Sequence, residues 1–266
     1  MRRRHMKARL LVIGAGAAAI AALAALTGPA SVLAAPRTPG VARIGILPPR
    51  NPGHNVRPRP FFLGMSACRR GKDSGSCDRA VLSAIAHARS VLEGMRGMYF
   101  TVAAYRKLTH AEQLFVTVNL ERVARHLPPA VELTRSLDKI AQAGAAKDDD
   151  PPLGRLPRHL PGGGYPVAAG GNWAGGFLNP LGADYGWMYD DAGSRWGHRD
   201  NILGTFVTRS SCRASHRALV MGAGYIGSGM AYGDSETELL VGVCGPSPTD
   251  TVLTWTRAKA LLRITF

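Results

Sequence analysis

Cysteine is the residue type whose placement constrains the chemistry of this chain most. There are four, Cys68, Cys77, Cys212 and Cys244, an even number that suits two disulfides in an exported protein. Three pairings are open. Cys68 and Cys77 enclose a short polar loop, Arg69-Arg-Gly-Lys-Asp-Ser-Gly-Ser76, which makes them natural local partners and leaves Cys212 to clip Cys244. Zinc ligation is the competing reading, and the lack of any Cys-x-x-Cys pair weighs against it. A second group is Asp148-Asp149-Asp150, where three adjacent carboxylates could meet a cation. Followed by Pro151-Pro152, they read better as a solvated helix exit. A third is aromatic. Trp173, Tyr185, Trp187, Tyr189 and Trp196 gather around a glycine-rich stretch, where they could line a groove for a lipid or sugar or form the core between helix and sheet. Core is the better reading for Trp187. No Gly-x-Ser-x-Gly or comparable nucleophile setting occurs.

Charge invites a nucleic-acid reading, so its location matters. The chain has 33 basic and 18 acidic residues, a formal charge of +15. Five of the basic residues lie within the first nine positions, and eight more fall between Pro36 and Lys72 with no acid among them: Arg37, Arg43, Arg50, Arg57, Arg59, Arg69, Arg70 and Lys72. From Asp73 onward the balance is only +2. Specific nucleic-acid binding is therefore not expected. The basic tail could attract anionic cell-wall polymers or lipid head groups by a screened, unspecific attraction, and a merely solvated linker is the alternative.

The N-terminus reads as an export signal. Basic Met1 to Arg9 precedes an apolar run from Leu10 to Leu26, and small residues follow at Val32-Leu33-Ala34. That order predicts cleavage after Ala34, leaving a secreted chain with no membrane span. An uncleaved anchor is the competing reading, since the run nearly reaches the roughly 18 to 20 residues that cross a bilayer. Residues 35–66, scattered with Pro, Gly and Arg, read as an exposed basic linker, and residues 67–266 as the folded domain.

The domain must supply the elements that position any site. Apolar residues from Ala80 to Met95 recur at helical spacing, with Asp78 as N-cap. Thr109-His-Ala-Glu112 is a capping box for a second helix that Pro128-Pro129 stops. Thr134 caps a third helix running toward Ala146. Gly162 to Gly176 is too rich in glycine for helix. Ala218 to Tyr225 and Glu238 to Val243 read as strands, and Thr251 to Leu262 as a last short helix. Helices first and strands afterwards predict an α+β layered domain.

Four segments now resemble one family. Phe115-Val-Thr-Val-Asn119-Leu-Glu-Arg122-Val-Ala-Arg-His-Leu127-Pro128-Pro129 resembles the opening helix of the cysteine-rich secretory, antigen 5 and pathogenesis-related (CAP, SCP-like) superfamily. Gly171-Asn172-Trp173-Ala174 resembles its Gly-Glu-Asn-Ile-Ala segment, and Gly186-Trp187-Met188 its Trp-containing helix. Gly197-His198-Arg199-Asp200-Asn201-Ile202-Leu203 matches the Gly-His-Arg-x-Asn-Ile-Leu signature of bacterial members. The resemblance implies a three-layer α-β-α sandwich, an extracellular setting, and a cleft to which Asn119, Arg122, Asn172, Trp173, Trp187, His198, Arg199 and Asn201 would contribute.

Its departures point the other way. Family clefts are associated with two His and two acidic residues, which in some members bind a divalent metal. Here Val118 stands where animal-type members have His, Gly171 replaces the acid before Asn172, and only His198 stands firmly in place. Asp190, three residues after Trp187, is the acid that could survive beside it. One imidazole with one carboxylate could act as general base. Metal binding needs about three or four ligands, and these positions offer at most two, so neither zinc nor another cofactor is expected. The expectation is a non-catalytic binding module with a degenerate cleft. The alternative is a hydrolase using His198 with Asp190.

Overall fold

A computed structural model describes residues 9–11, 50–56, 66–68, 71, 73–176, 179–204, 212, 223–231 and 235–264. The expected cleavage site, most of the expected signal and the segment Ala218–Gly222 lie outside them.

The first helix, α1 (Gly75–Glu93), begins three residues before the expected cap. Ser74, not Asp78, is its N-cap, the hydroxyl accepting from Cys77 N–H, and the helix stops at Gly94 in the left-handed conformation. Asp78 falls in the first turn instead, where its negative charge still suits the helix N-terminus. A short α2 (Val102–Tyr105) leads to α3 (His110–Val123), whose start is the expected capping box, with Thr109 and Glu112 each bonding the other's backbone. From Leu114 to Arg122 every residue of α3 is buried, so this helix runs through the interior. Then come β2 (Ala130–Thr134) and α4 (Arg135–Ala145), with Thr134 at the N-cap position as expected.

The remaining elements are β3 (Tyr165–Gly175), α5 (Pro180–Tyr189), α6 (Gly197–Leu203), β4 (Ala223–Ala231), β5 (Ser235–Cys244), β6 (Thr251–Thr254) and α7 (Trp255–Leu262). Together they make the chain an α+β protein. Thr251 to Thr254, expected as helix, is strand. The β-branched Thr and Val there pair with β2, and helix starts only at Trp255, capped by the Thr254 hydroxyl. Arg9–Leu11, inside the expected signal, forms the edge strand β1 antiparallel to β3.

The sheet order is β1-β3-β5-β4-β2-β6. β3, β5 and β4 are antiparallel neighbours, and β2 joins β4 in parallel. Alternation along β5 divides the core. Leu240 faces the large cluster built from α1, α3 and α5, while Leu239, Val241 and Val243 face Leu137 and Ala141 of α4. Successive side chains of a strand point to opposite faces, so the sheet carries helices on both sides. α4 lies so close that a Cβ on Gly227 would stand 2.1 Å from the Leu137 carbonyl carbon. Only glycine fits there.

Two disulfides staple this arrangement, Cys68–Cys77 and Cys212–Cys244, with Cα separations of 4.4 and 5.5 Å. Part of the expected linker is also docked. Val56 is buried and its N–H donates to Tyr189 O, Asn55 Oδ1 accepts from Ala192 N–H at 2.7 Å, and Asn51 reaches Asp200. Polar side chains of that linker thus hold backbone groups around α5 and α6. Among the described residues no helix is long and apolar enough to cross a membrane.

Candidate functional site

His198 sits at the second position of α6, and the chain reaches that helix through Arg195 and Trp196, both left-handed at φ 54° and 64°. Two consecutive non-glycine residues in that region are costly and persist only when neighbours fix them. Asp191 supplies the fixing. Its carbonyl accepts from Ser194 and Trp196 N–H, and its carboxylate accepts from His198 N–H at 3.0 Å and meets His198 Nδ1 at 2.6 Å. A carboxylate that already accepts from a backbone N–H leaves Nδ1 as the donor. The acid that His198 Nδ1 meets is therefore Asp191, where the sequence suggested Asp190. Asp190 ends α5, and the chain turns before Asp191 comes back under α6.

This Asp–His pair has the chemistry of an oriented base, but His198 and Asp191 are both wholly buried. A general base must come within hydrogen-bond reach of a substrate proton, and burial holds both side chains away from the surface.

The remaining motif residues hold backbone. Asn201 Nδ2 donates to Gly171 O and Asn172 Oδ1, both at 2.9 Å, and Asn172 Nδ2 donates to His198 O at 3.2 Å, which clamps α6 onto β3. Arg122 reaches from α3 to Pro128 O, Ile202 O and Gly204 O, taking up carbonyls at the end of α6. Asn119 pairs with Ala130 as a strand residue would, its Oδ1 accepting at 2.7 Å and its Nδ2 donating at 3.0 Å. Trp173 Nε1 donates to Ser235 Oγ, and Trp187 is wholly buried. The aromatic residues Tyr185, Tyr189 and Trp196 are buried too, so these rings are core and not groove lining.

At Gly171, where the family pattern has an acid, Pro151 occupies the space: a Cβ there would meet Pro151 Cδ at 3.0 Å. The Asp148–Asp150 run leads into this contact. Asp148 and Asp149 are exposed as expected, while Asp150 is buried because the chain turns inward to seat Pro151. Among the described residues no group of three or more His, Cys, Asp and Glu is placed to hold a metal.

Charged residues of α1, α3 and α6 meet Tyr189 of α5 in an interior polar cluster. Arg199 donates to Met188 O at 3.0 Å and to Glu93; Arg125 pairs with Glu93 at 2.7 Å and with Glu121; Tyr189 Oη donates to Glu121 at 2.7 Å. Burial favours a protonated Glu121, but the Arg125 and Arg89 guanidinium groups outweigh it and hold the carboxyl below its ordinary range. Asp184, wholly buried on α5 with neither oxygen hydrogen-bonded, is pushed well above the carboxylate range by burial and by Glu121 and Glu238. Glu238, paired across the sheet with Asn172, is raised to about 8 by burial against the pull of Arg122. The four-residue spacings Arg89–Glu93 and Glu121–Arg125 were visible as helix pairs. Nothing in the sequence marks them as interior.

No protein family, curated protein or solved structure matches this chain.

Proposed function

We propose that the chain is a secreted CAP-like domain working as a non-catalytic binding module, in which the family's cleft has been filled from within. One observation carries the reading: the two side chains able to form a base, His198 and Asp191, are wholly buried and serve to cap α6. Helices on both faces of one sheet, two disulfides and the order of the four motif segments agree with the family's three-layer sandwich and extracellular setting. The partner class that the basic residues 36–72 suggest is an anionic envelope polymer or lipid head group, held by screened attraction. The 2.6 Å His198–Asp191 contact is what favours the hydrolase alternative, and its enclosure is what counts against it.

His198→Ala separates the two. A structural His198 leaves Asp191 short of a partner when removed, at a cost of about 1 to 3 kcal/mol, so the melting temperature falls and purified wild-type protein carries no stoichiometric zinc. Unchanged melting together with loss of one tightly bound zinc, or of a hydrolytic activity, would reverse the assignment.

A further inference from the structure

The C-terminal end of α1, the segment 94–100 and the C-terminal half of α3 surround a surface hollow of about 260 Å³. Its walls are Met95, Met98, Leu120, Ala124 and Ile264, with the ring of Tyr99 at its mouth, 72% exposed. Arg89 lines it as well. This side chain is only 3% exposed, its Nε has no hydrogen-bond partner, and no ion pair closes on its guanidinium among the described residues. The carboxylates nearest in charge are engaged elsewhere: Glu93 with Arg125 and Arg199, Glu121 with Arg125 and Tyr189. Glu121 feels both Arg125 and Arg89, so three arginines meet two glutamates, the cluster carries one positive charge in excess, and Arg89 borders the hollow. Burying an unpaired charge is unfavourable, so the site is built for an anion. Exposed Arg96 at the rim has the same sign.

The backbone beside the hollow indicates what carries that anion. Met95 N–H donates to Arg89 O and Thr101 N–H to Leu262 O, but between them Arg96 to Phe100 make no backbone–backbone hydrogen bond among the described residues. A run of N–H and C=O groups without main-chain partners can serve as a template for another chain's main chain. The hollow is also smaller than the roughly 300 Å³ at which pockets begin to enclose a drug-sized ligand, so it takes one end of a molecule. We propose that it captures the free carboxyl end of an extended peptide whose last side chain is apolar. The carboxylate meets Arg89, the terminal side chain fills the space between Met95, Met98 and Leu120, and the preceding residues lie along segment 94–100. This gives the binding-module reading a ligand class and rests on it only for the premise that the chain binds something; Arg89, Met95 and Met98 lie outside the motif segments.

Fluorescence polarisation with the full protein and a labelled hexapeptide ending in leucine tests it, with the C-terminal amide of the same peptide as comparison. The acid should bind saturably and the amide about tenfold or more weakly, since the charge-assisted bonds are lost. Arg89→Met should lower affinity for the acid to the level of the amide. Arg96→Glu, on an exposed rim residue that folding does not require, should also weaken the acid and spare the amide. Equal binding of acid and amide, affinity for the acid unchanged in Arg96→Glu, or no saturable binding at millimolar peptide would overturn the proposal. Displacement of the peptide by decanoate at lower concentrations than the unlabelled acid would assign the site to lipids and overturn it too. The outcome is independent of the His198→Ala melt, so failure of the family reading and failure of this site are told apart.

Discussion

Replacing Glu238 by Gln isolates one ionisation from the rest of the interior. Glu238 is wholly buried on β5, and burial lifts it from an ordinary 4.5 to about 8 despite the Arg122 guanidinium and the Asn172 side chain, which both pull it down. Below pH 4.5 the folded and unfolded chains both hold the proton, and the group is neutral to stability. Between 4.5 and 8 the folded chain keeps a proton that the unfolded chain has lost, so rising pH favours unfolding. At pH 7 the gap above 4.5 is about 2.5 units, and at about 1.4 kcal/mol per unit wild type has lost roughly 3 kcal/mol to this one group. Gln has the same shape and no ionisation, and its packing and hydrogen-bonding differences are the same at every pH. Urea titrations of both proteins at pH 4 and pH 7, followed by tryptophan fluorescence, should show Glu238→Gln gaining about 3 kcal/mol on wild type between the two. Parallel behaviour at both pH values would refute the assignment of a raised carboxyl. A variant that loses ground at pH 7 would mean that Glu238 is ionised and stabilised by Arg122.

Three other expectations follow from the same geometry. Loss of Cys212–Cys244 through paired Ser substitutions should cost roughly 2 to 5 kcal/mol, read by chemical denaturation, while loss of the nine-residue Cys68–Cys77 link should cost less; recovery of a Cys77–Cys212 peptide in non-reducing mapping would contradict the pairing. Asp191→Asn should lower stability by about 1 to 3 kcal/mol, because His198 Nδ1–H and two backbone N–H groups share that carboxylate; an unshifted melting curve would show that the contact does not hold α6. Binding to an anionic polymer such as polyglutamate should reside in residues 36–72 and fall steeply as salt rises from 50 to 500 mM; affinity surviving deletion of that segment would place it elsewhere.

Local signals were legible where the physics is local. The capping box at Thr109 and Glu112 depends on four consecutive residues, and α3 starts where it says. The apolar alternation of Glu238 to Val243 marks β5 because both faces of that strand are covered. Strand β3 was hidden, since its Gly170 and Gly171 depress strand propensity and are explained only by what crosses them. The start of α1 was misplaced because Ser74 and Asp78 are both good caps in isolation, and the choice depends on the Cys68–Cys77 link drawing the preceding turn inward. Asp191 was missed in favour of Asp190 for a related reason. Spacing from Trp187 is a guide only while helix persists, and α5 ends at Tyr189. The charged interior around Glu93, Glu121, Arg125 and Arg199 joins positions up to 106 residues apart, and no pattern in one sequence announces such a pairing.

The glycine at position 171, where the family pattern has an acid, is tied to the packing around it. Removing an acid from an open cleft leaves a hole that solvent fills, and such a change could be reversed by a single substitution. At Gly171 the reversal would also have to move Pro151 by a few tenths of an ångström, since its Cδ stands 3.0 Å from where the first side-chain atom would go. Pro151 is held in turn by the chain before it: Asp150 N–H donates to Asp149 Oδ1, and the Asp150 backbone lies within 2.8 Å of where a Cβ on Gly144 would stand, so α4 and this turn are in direct contact. A side chain at position 171 would therefore press on the 148–152 turn and, through it, on α4. The same residue holds α6, since Asn201 donates to Gly171 O. Of the polar residues that match the family pattern, Asn172 and Asn201 bond to His198 O, to Gly171 O and to each other. Packing at Gly171 and the hydrogen bonds of Asn172 and Asn201 thus tie α6, β3 and the 148–152 turn into one unit.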